Sequence, residues 1–131
     1  MATPNLMVAV GDDDASVCRA LKRLLHSVGI SANTFSSGEA FLEMLSSATS
    51  SLPACLIVDF EMPRIDGLKL QRHLAPTGVP IIFVTATQDE AVREKALAQG
   101  AAAYLSKPFE SAVLIRTVRM ALGIPHLPEA L

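Results

Sequence analysis

Short apolar runs alternate with amphipathic stretches along the whole chain. Residues 6–11, 55–58 and 80–85 are runs of mostly apolar residues, with Val, Ile, Leu and Phe prominent. Runs of this length read as buried strands. Residues 31–35 form a weaker strand pattern and residues 102–106 a short one. Between them the period changes. From Ala15, the residues Val17, Leu21, Leu24, Leu25 and Val28 recur at helical spacing, and Gly29 closes that helix. Its other face carries Arg19, Lys22, Arg23 and His26, which reads as a solvated surface. Ser36 and Glu39 have capping-box spacing ahead of Ala40, Phe41, Met44 and Leu45, so a second helix is expected there. Asp66-Gly67 opens a third, with Leu70 and Leu74 on one side, and Pro76 and Gly78 break it. Residues 88–99 predict a fourth helix, capped by Gly100. Its apolar face is thin and Ala-rich, so loose packing is expected. The last helix spans residues 111–122, with Leu114, Ile115, Val118, Ala121 and Leu122 inward, and Gly123 and Pro125 stop it.

Strand and helix therefore alternate five times with short links. That pattern predicts an α/β fold: a five-stranded parallel sheet flanked by five helices. Right-handed crossovers leave few topologies, and 2-1-3-4-5 is the common order at this size. Residues 1–122 are expected to be one domain and residues 123–131 a tail without periodicity. The small-residue stretch 46–51 is too short for a domain linker.

Composition narrows the function classes. At 131 residues the chain is long enough for a real core. A net charge of -2 makes no electrostatic case for direct nucleic-acid binding. No run approaches the roughly 18 apolar residues of a membrane span. The first residues lack the basic and apolar regions of a signal peptide. A soluble cytoplasmic protein is expected. Cys18 falls in a helix pattern and Cys55 in a strand, each read as a reduced buried thiol, and neither has metal-site spacing.

The candidate chemistry lies at the strand ends. The first strand runs into Asp12-Asp13-Asp14, the third into Asp59, the fourth into Thr85, and the fifth into Lys107. An aspartate in such a place is, taken alone, more often a cap or turn residue. In a parallel sheet, however, these side chains converge on the carboxyl edge, where ligands of open α/β sheets bind. Adjacent carboxylates raise each other's pKa unless a cation offsets the repulsion. Hard oxygen ligands favour Mg²⁺, which binds through one or two carboxylates plus a phosphate. Asp59 could then attack phosphorus, with Lys107 neutralising the phosphoryl oxygens and Thr85 donating a hydrogen bond to one of them. Ala86 is small and leaves the approach open.

In this order, the pair Asp12-Asp13, the strand Ile57-Val58-Asp59, Met62-Pro63 with Asp66-Gly67, Thr85-Ala86 and Lys107-Pro108-Phe109 resemble the receiver domain of two-component response regulators. The resemblance covers residues 6–122. The wording at Ser37 to Leu42 is similar to nitrogen-fixation-type receivers. Receivers are themselves a standing example of the 2-1-3-4-5 flavodoxin-like order, so order and resemblance are not independent. The resemblance implies that Asp59 accepts a phosphoryl group from a sensor histidine kinase or histidine phosphotransfer protein. It implies Mg²⁺ ligated by Asp13, Asp59 and the Glu61 backbone carbonyl, with Asp12 acting through water. It implies that Lys107 and Thr85 bind the phosphoryl oxygens, that Glu61 and Thr87 tune phosphate lifetime, and that Tyr104 turns inward as Thr85 moves. The output surface would be the fourth helix, fifth strand and fifth helix. It would act on a downstream protein target or a missing output domain, and phosphorylation-dependent homodimerisation is common in the family. Self-phosphorylation and autodephosphorylation would be the only catalysis.

One departure stands out. Gly11 takes the place of a branched apolar residue, and Gly weakens a strand end, so a more mobile acidic loop and altered metal affinity are expected. No output domain follows residue 122, which suits a single-domain regulator slightly better than an excised receiver. Two other readings compete with this one. Asp12-x-Asp14-x-Ser16 loosely fits a haloacid-dehalogenase-like phosphatase, which would turn over phosphomonoesters through Asp12. A phosphate-independent pseudo-receiver would dock partners without Mg²⁺, but such chains lack one of the site residues and this one keeps them all.

Overall fold

A computed structural model describes residues 7–46, 52–62, 67–86 and 89–124, with the side chains of residues 44–46 left aside. Five strands form one parallel sheet: β1 (Met7–Gly11), β2 (Ser31–Phe35), β3 (Cys55–Asp59), β4 (Ile81–Thr85) and β5 (Ala103–Ser106). Their order is β2-β1-β3-β4-β5, as expected. The helices are α1 (Ala15–Ser27), α2 (Gly38–Ser46), α3 (Gly67–Leu74), α4 (Glu90–Ala98) and α5 (Ser111–Ala121).

The three central strands are buried on both faces, and their alternate residues feed two cores. Val8, Val10, Ile57, Ile82 and Val84 pack with Cys18, Leu21 and Leu25 of α1 and with Leu114 and Val118 of α5. Ala9, Leu56, Val58 and Phe83 pack on the other side with Phe41, Leu70, Leu74, Ala96 and Tyr104. The edge strands β2 and β5 are only partly covered, which is why residues 31–35 read as a weak strand and residues 102–106 as a short one.

Several element ends differ from expectation for local reasons. The cap of α2 is Ser37, whose hydroxyl accepts the Ala40 N–H at 3.1 Å, so Ser36 is not the capping residue. The start expected at Gln88 for the fourth helix lies outside the described residues. α4 itself begins at Glu90, with the Asp89 carboxylate accepting from the Ala91 and Val92 amides at 3.0 and 3.3 Å. Ala96 is the one buried residue of α4, in line with the thin apolar face. Pro76 does not simply break α3. It sits in a short 3-10 turn, Ala75–Thr77, that follows the helix directly. α1 closes as predicted: Gly29 takes φ 81°, a conformation that a side chain would disfavour, and its N–H donates to the His26 carbonyl at 3.0 Å.

Register carries the chemistry to one edge. Gly11 pairs with Val58, Asp59 with Val84, and Thr85 with Ser106. Asp12 and Lys107 each lie one residue beyond the last pair of their strands. Lys107 is held there by its own N–H, which donates to the Thr85 carbonyl at 2.8 Å.

Candidate phosphoacceptor site

The three consecutive aspartates have separate environments. Asp12 is 1% exposed. Its Oδ1 accepts the Asp14 N–H at 2.9 Å and its Oδ2 the Lys107 ammonium at 2.8 Å. The Asp12 carbonyl also accepts the Cys18 thiol at 3.3 Å, tying the acidic loop to α1. Asp13 is exposed. Asp14 caps α1: its Oδ1 accepts the Ser16 N–H at 2.9 Å and the Ser16 hydroxyl at 2.6 Å. Those bonds hold the Asp14 carboxyl below its ordinary value. The dehalogenase-like reading thus loses Asp14 to helix capping.

Asp59, half-buried at the end of β3, faces Asp12 across Lys107. Its Oδ2 accepts the lysine ammonium at 3.1 Å and its Oδ1 the Glu61 N–H at 2.9 Å. Burial alone pulls the Lys107 ammonium down, but the hydrogen bonds it donates to Asp12 and Asp59, with the charges of those carboxylates, outweigh it and raise its pKa above the ordinary value. The lysine therefore remains charged at neutral pH.

Carboxylate oxygens of Asp12, Asp13 and Asp59 lie within 4.8 Å of one another. At that range two unit charges repel by roughly 3–4 kcal/mol at an effective dielectric of 20. One lysine cannot offset three carboxylates. The donor set is hard oxygen with an exposed member, Asp13, and it fits a divalent cation such as Mg²⁺.

Thr85 is fully buried, and its hydroxyl lies 3.4 Å from Glu61 Oε1. Glu61 is exposed. Tyr104 is already inward: it is 7% exposed, with its ring 6.2 Å from that of Phe83 and 6.0 Å from that of Phe60. Its hydroxyl is buried and has no hydrogen-bond partner among the described residues. Burial, reinforced by Asp89 and Glu61, raises the phenol pKa. Thr87, the other expected lifetime residue, lies outside the described residues.

The structure therefore brings Asp12, Asp13, Asp59 and Lys107 together, joins Thr85 to Glu61, and sets Tyr104 in an aromatic cluster. The sequence reading missed Phe60 and the reason for Gly67. A Cβ on Gly67 would lie 2.6 Å from the Phe60 ring, so the ring is accommodated only because α3 begins with Gly. It also missed Gln71, a buried polar residue whose amide donates to the Ala96 carbonyl at 2.8 Å and links α3 to α4. No periodicity signal marks such a residue.

Comparison with known proteins agrees with this geometry. Residues 8–119 match the model of the response regulator receiver domain. The chain is 37% identical over 120 residues to the response regulator protein TodT of Pseudomonas putida, covering 90% of this chain and 52% of TodT. It is 36% identical over 124 residues to the transcriptional regulatory protein FixJ of Azorhizobium caulinodans, covering 91% of this chain and 56% of FixJ. The chain thus spans about half the length of these curated relatives. Among solved structures, a response regulator receiver protein from Burkholderia phymatum is 54% identical, with a TM-score of 0.83, covering 93% of this chain and 98% of that one. Among the described residues no helix is long and apolar enough to cross a membrane. With its sheet order, its acidic edge bridged by a lysine and a family match over nearly its whole length, the chain belongs to the response regulator receiver domain family.

Proposed function

We propose that this domain takes a phosphoryl group from a histidine kinase or histidine phosphotransfer protein onto Asp59, with Mg²⁺ required. The observation that carries the reading is the Lys107 ammonium placed between Asp12 and Asp59, at 2.8 and 3.1 Å, beside the exposed carboxylate of Asp13. Asp13, Asp59 and the Glu61 carbonyl would ligate the ion. Asp12 would act through water, since its two oxygens already serve Lys107 and the Asp14 amide. Bound there, Mg²⁺ would neutralise phosphoryl oxygens as negative charge gathers on them.

An Asp59 carboxylate oxygen attacks phosphorus. The phosphorus–nitrogen bond of the phosphohistidine breaks, its electron pair stays on the imidazole, and an acyl phosphate forms on Asp59. The Glu61 N–H orients the carboxylate by holding Oδ1. Lys107 then pairs with a phosphoryl oxygen, and Thr85 turns its hydroxyl from Glu61 to another. Glu61, released, would tune the lifetime of the acyl phosphate, as would Thr87. A groove of about 310 Å³, lined by Val17, Leu21, Leu24, Lys107, Pro108 and Phe109, runs beside the site and supports docking of an apolar donor surface there.

The output is a shift of the surface formed by α4, β5 and α5. Thr85 lies immediately before the loop to α4, and α4 buries only Ala96, so little packing resists movement. Tyr104 couples to Thr85 in this reading, its inward ring being the state that phosphorylation favours. The surface would act on a downstream protein, an output domain or a second copy of the chain. The test is a phosphoryl mimic, beryllofluoride with Mg²⁺, followed by amide chemical shifts. Saturable shifts at Thr85, Lys107 and along α4 are expected. Shifts confined to the acidic loop would overturn the switching, and none at all would overturn the phosphoacceptor role.

A further inference from the structure

Gly11 and Met62 are each adjacent in sequence to the site, and the Met62 side chain lies close to the position a Cβ of residue 11 would take. Gly11 ends β1 and immediately precedes Asp12. Met62 immediately follows Glu61, whose N–H holds Asp59. Met62 is 4% exposed. A Cβ built on Gly11 would lie 3.4 Å from Met62 Cε, 3.8 Å from Met62 Sδ and 3.4 Å from Val58 Cγ2. A Cβ at position 11 would thus already be in van der Waals contact with the methionine, so the branches of a larger side chain would have to extend beside it. A flexible thioether suits such an irregular gap.

We infer that Met62, packed on Gly11, is a positioning residue that clamps the turn bearing Asp59 and Glu61 to the loop bearing Asp12 and Asp13. The glycine alone predicts a loosened acidic loop. The methionine supplies the missing bulk from the neighbouring strand end, so the spacing bridged by Lys107 is set by the pair. An Ala at position 11 would meet Met62 and Val58 at ordinary contact distance, whereas Val would add methyl groups where the thioether lies. The clamp rests on packing alone; its effect on metal affinity rests on the function proposed above.

The test compares the parent, Met62→Ala, Gly11→Val and the double variant. Two readouts are taken: amide exchange at Asp14 and Glu61 in metal-free protein, and the Mg²⁺ midpoint by calorimetry. Those amides report directly, because each donates to a site carboxylate at 2.9 Å. Each single variant speeds exchange several-fold and weakens Mg²⁺ binding about tenfold, the low end for residues that support metal ligands. The double variant restores both to within about twofold of the parent. Met62→Leu, which preserves bulk, stays near the parent and serves as the deciding arm if the Val variants do not fold. The inference is overturned if Met62→Ala lowers only the melting temperature, or if the two substitutions merely add. A parent that binds no Mg²⁺ but shows the compensation in exchange would keep the clamp and remove the metal reading.

Discussion

Asp12, Asp13 and Asp14 carry the same side chain and do three different things. Asp12 is buried under Lys107, Asp13 stands exposed beside the cluster, and Asp14 caps α1. The triplet's chemistry was legible in the sequence because like charges in a row need a cation, a turn or water. Its division of labour was not, since it depends on where α1 begins. Among the described residues Asp13 supplies charge without side-chain hydrogen bonds that hold the fold, so its removal separates function from stability. Asp13→Asn is expected to raise the stability of the metal-free protein by about 0.5–1 kcal/mol, as relief of an exposed like-charge contact. It should also abolish stabilisation by Mg²⁺. Thermal melts with and without Mg²⁺ check both, and an Asp13→Asn protein still stabilised by Mg²⁺ would take Asp13 out of the ligand set. Tyr104 shows the limit of reading residues from sequence. The resemblance implies an aromatic that turns inward. Its resting place follows from Phe60 and Phe83, with Phe60 admitted by Gly67, far back in the chain from the tyrosine it touches only indirectly.

At the scale of elements, the central strands were legible because burial on both faces leaves an uninterrupted apolar run. Helix starts were less so. Two serines stand side by side at Ser36 and Ser37, and only the backbone decides which of them caps α2. For α4 the cap is Asp89, a residue that composition alone marks as one more surface charge. With one buried side chain, α4 depends on that cap and on the Gln71 link more than α1 depends on its own ends. Asp89→Ala is expected to cost about 1 kcal/mol of local stability. Hydrogen exchange should show faster opening of α4 amides with little change in α1. Equal loss of protection in both helices would mean that α4 opens only with the whole domain.

The whole molecule responds to pH through groups the site does not use as well as those it does. Burial pushes the Cys55 thiol up to about 12 from an ordinary 9.0. The folded state then holds a proton that the unfolded state releases, so stability falls as pH rises from about 9 towards 12. Lys107 adds to the same trend above its ordinary 10.5, because its folded pKa is raised and its stabilising pairs are lost only when the ammonium deprotonates. Denaturant midpoints measured across alkaline pH should fall, and Cys55→Ala should make the fall that begins near pH 9 shallower, leaving the share that burial of the Cys18 thiol contributes. An unchanged slope in that variant would assign the effect elsewhere. At this scale the sequence was most informative, since five alternations, the sheet order and the acidic edge all agree with the structure. The central claim is that the edge serves one acceptor, Asp59. Intact mass after incubation with Mg²⁺ and acetyl phosphate tests it directly, with Asp59→Asn alongside. One added phosphoryl group on the parent and none on the variant is the predicted result. An adduct that persists in Asp59→Asn, or a parent that takes none, would contradict it.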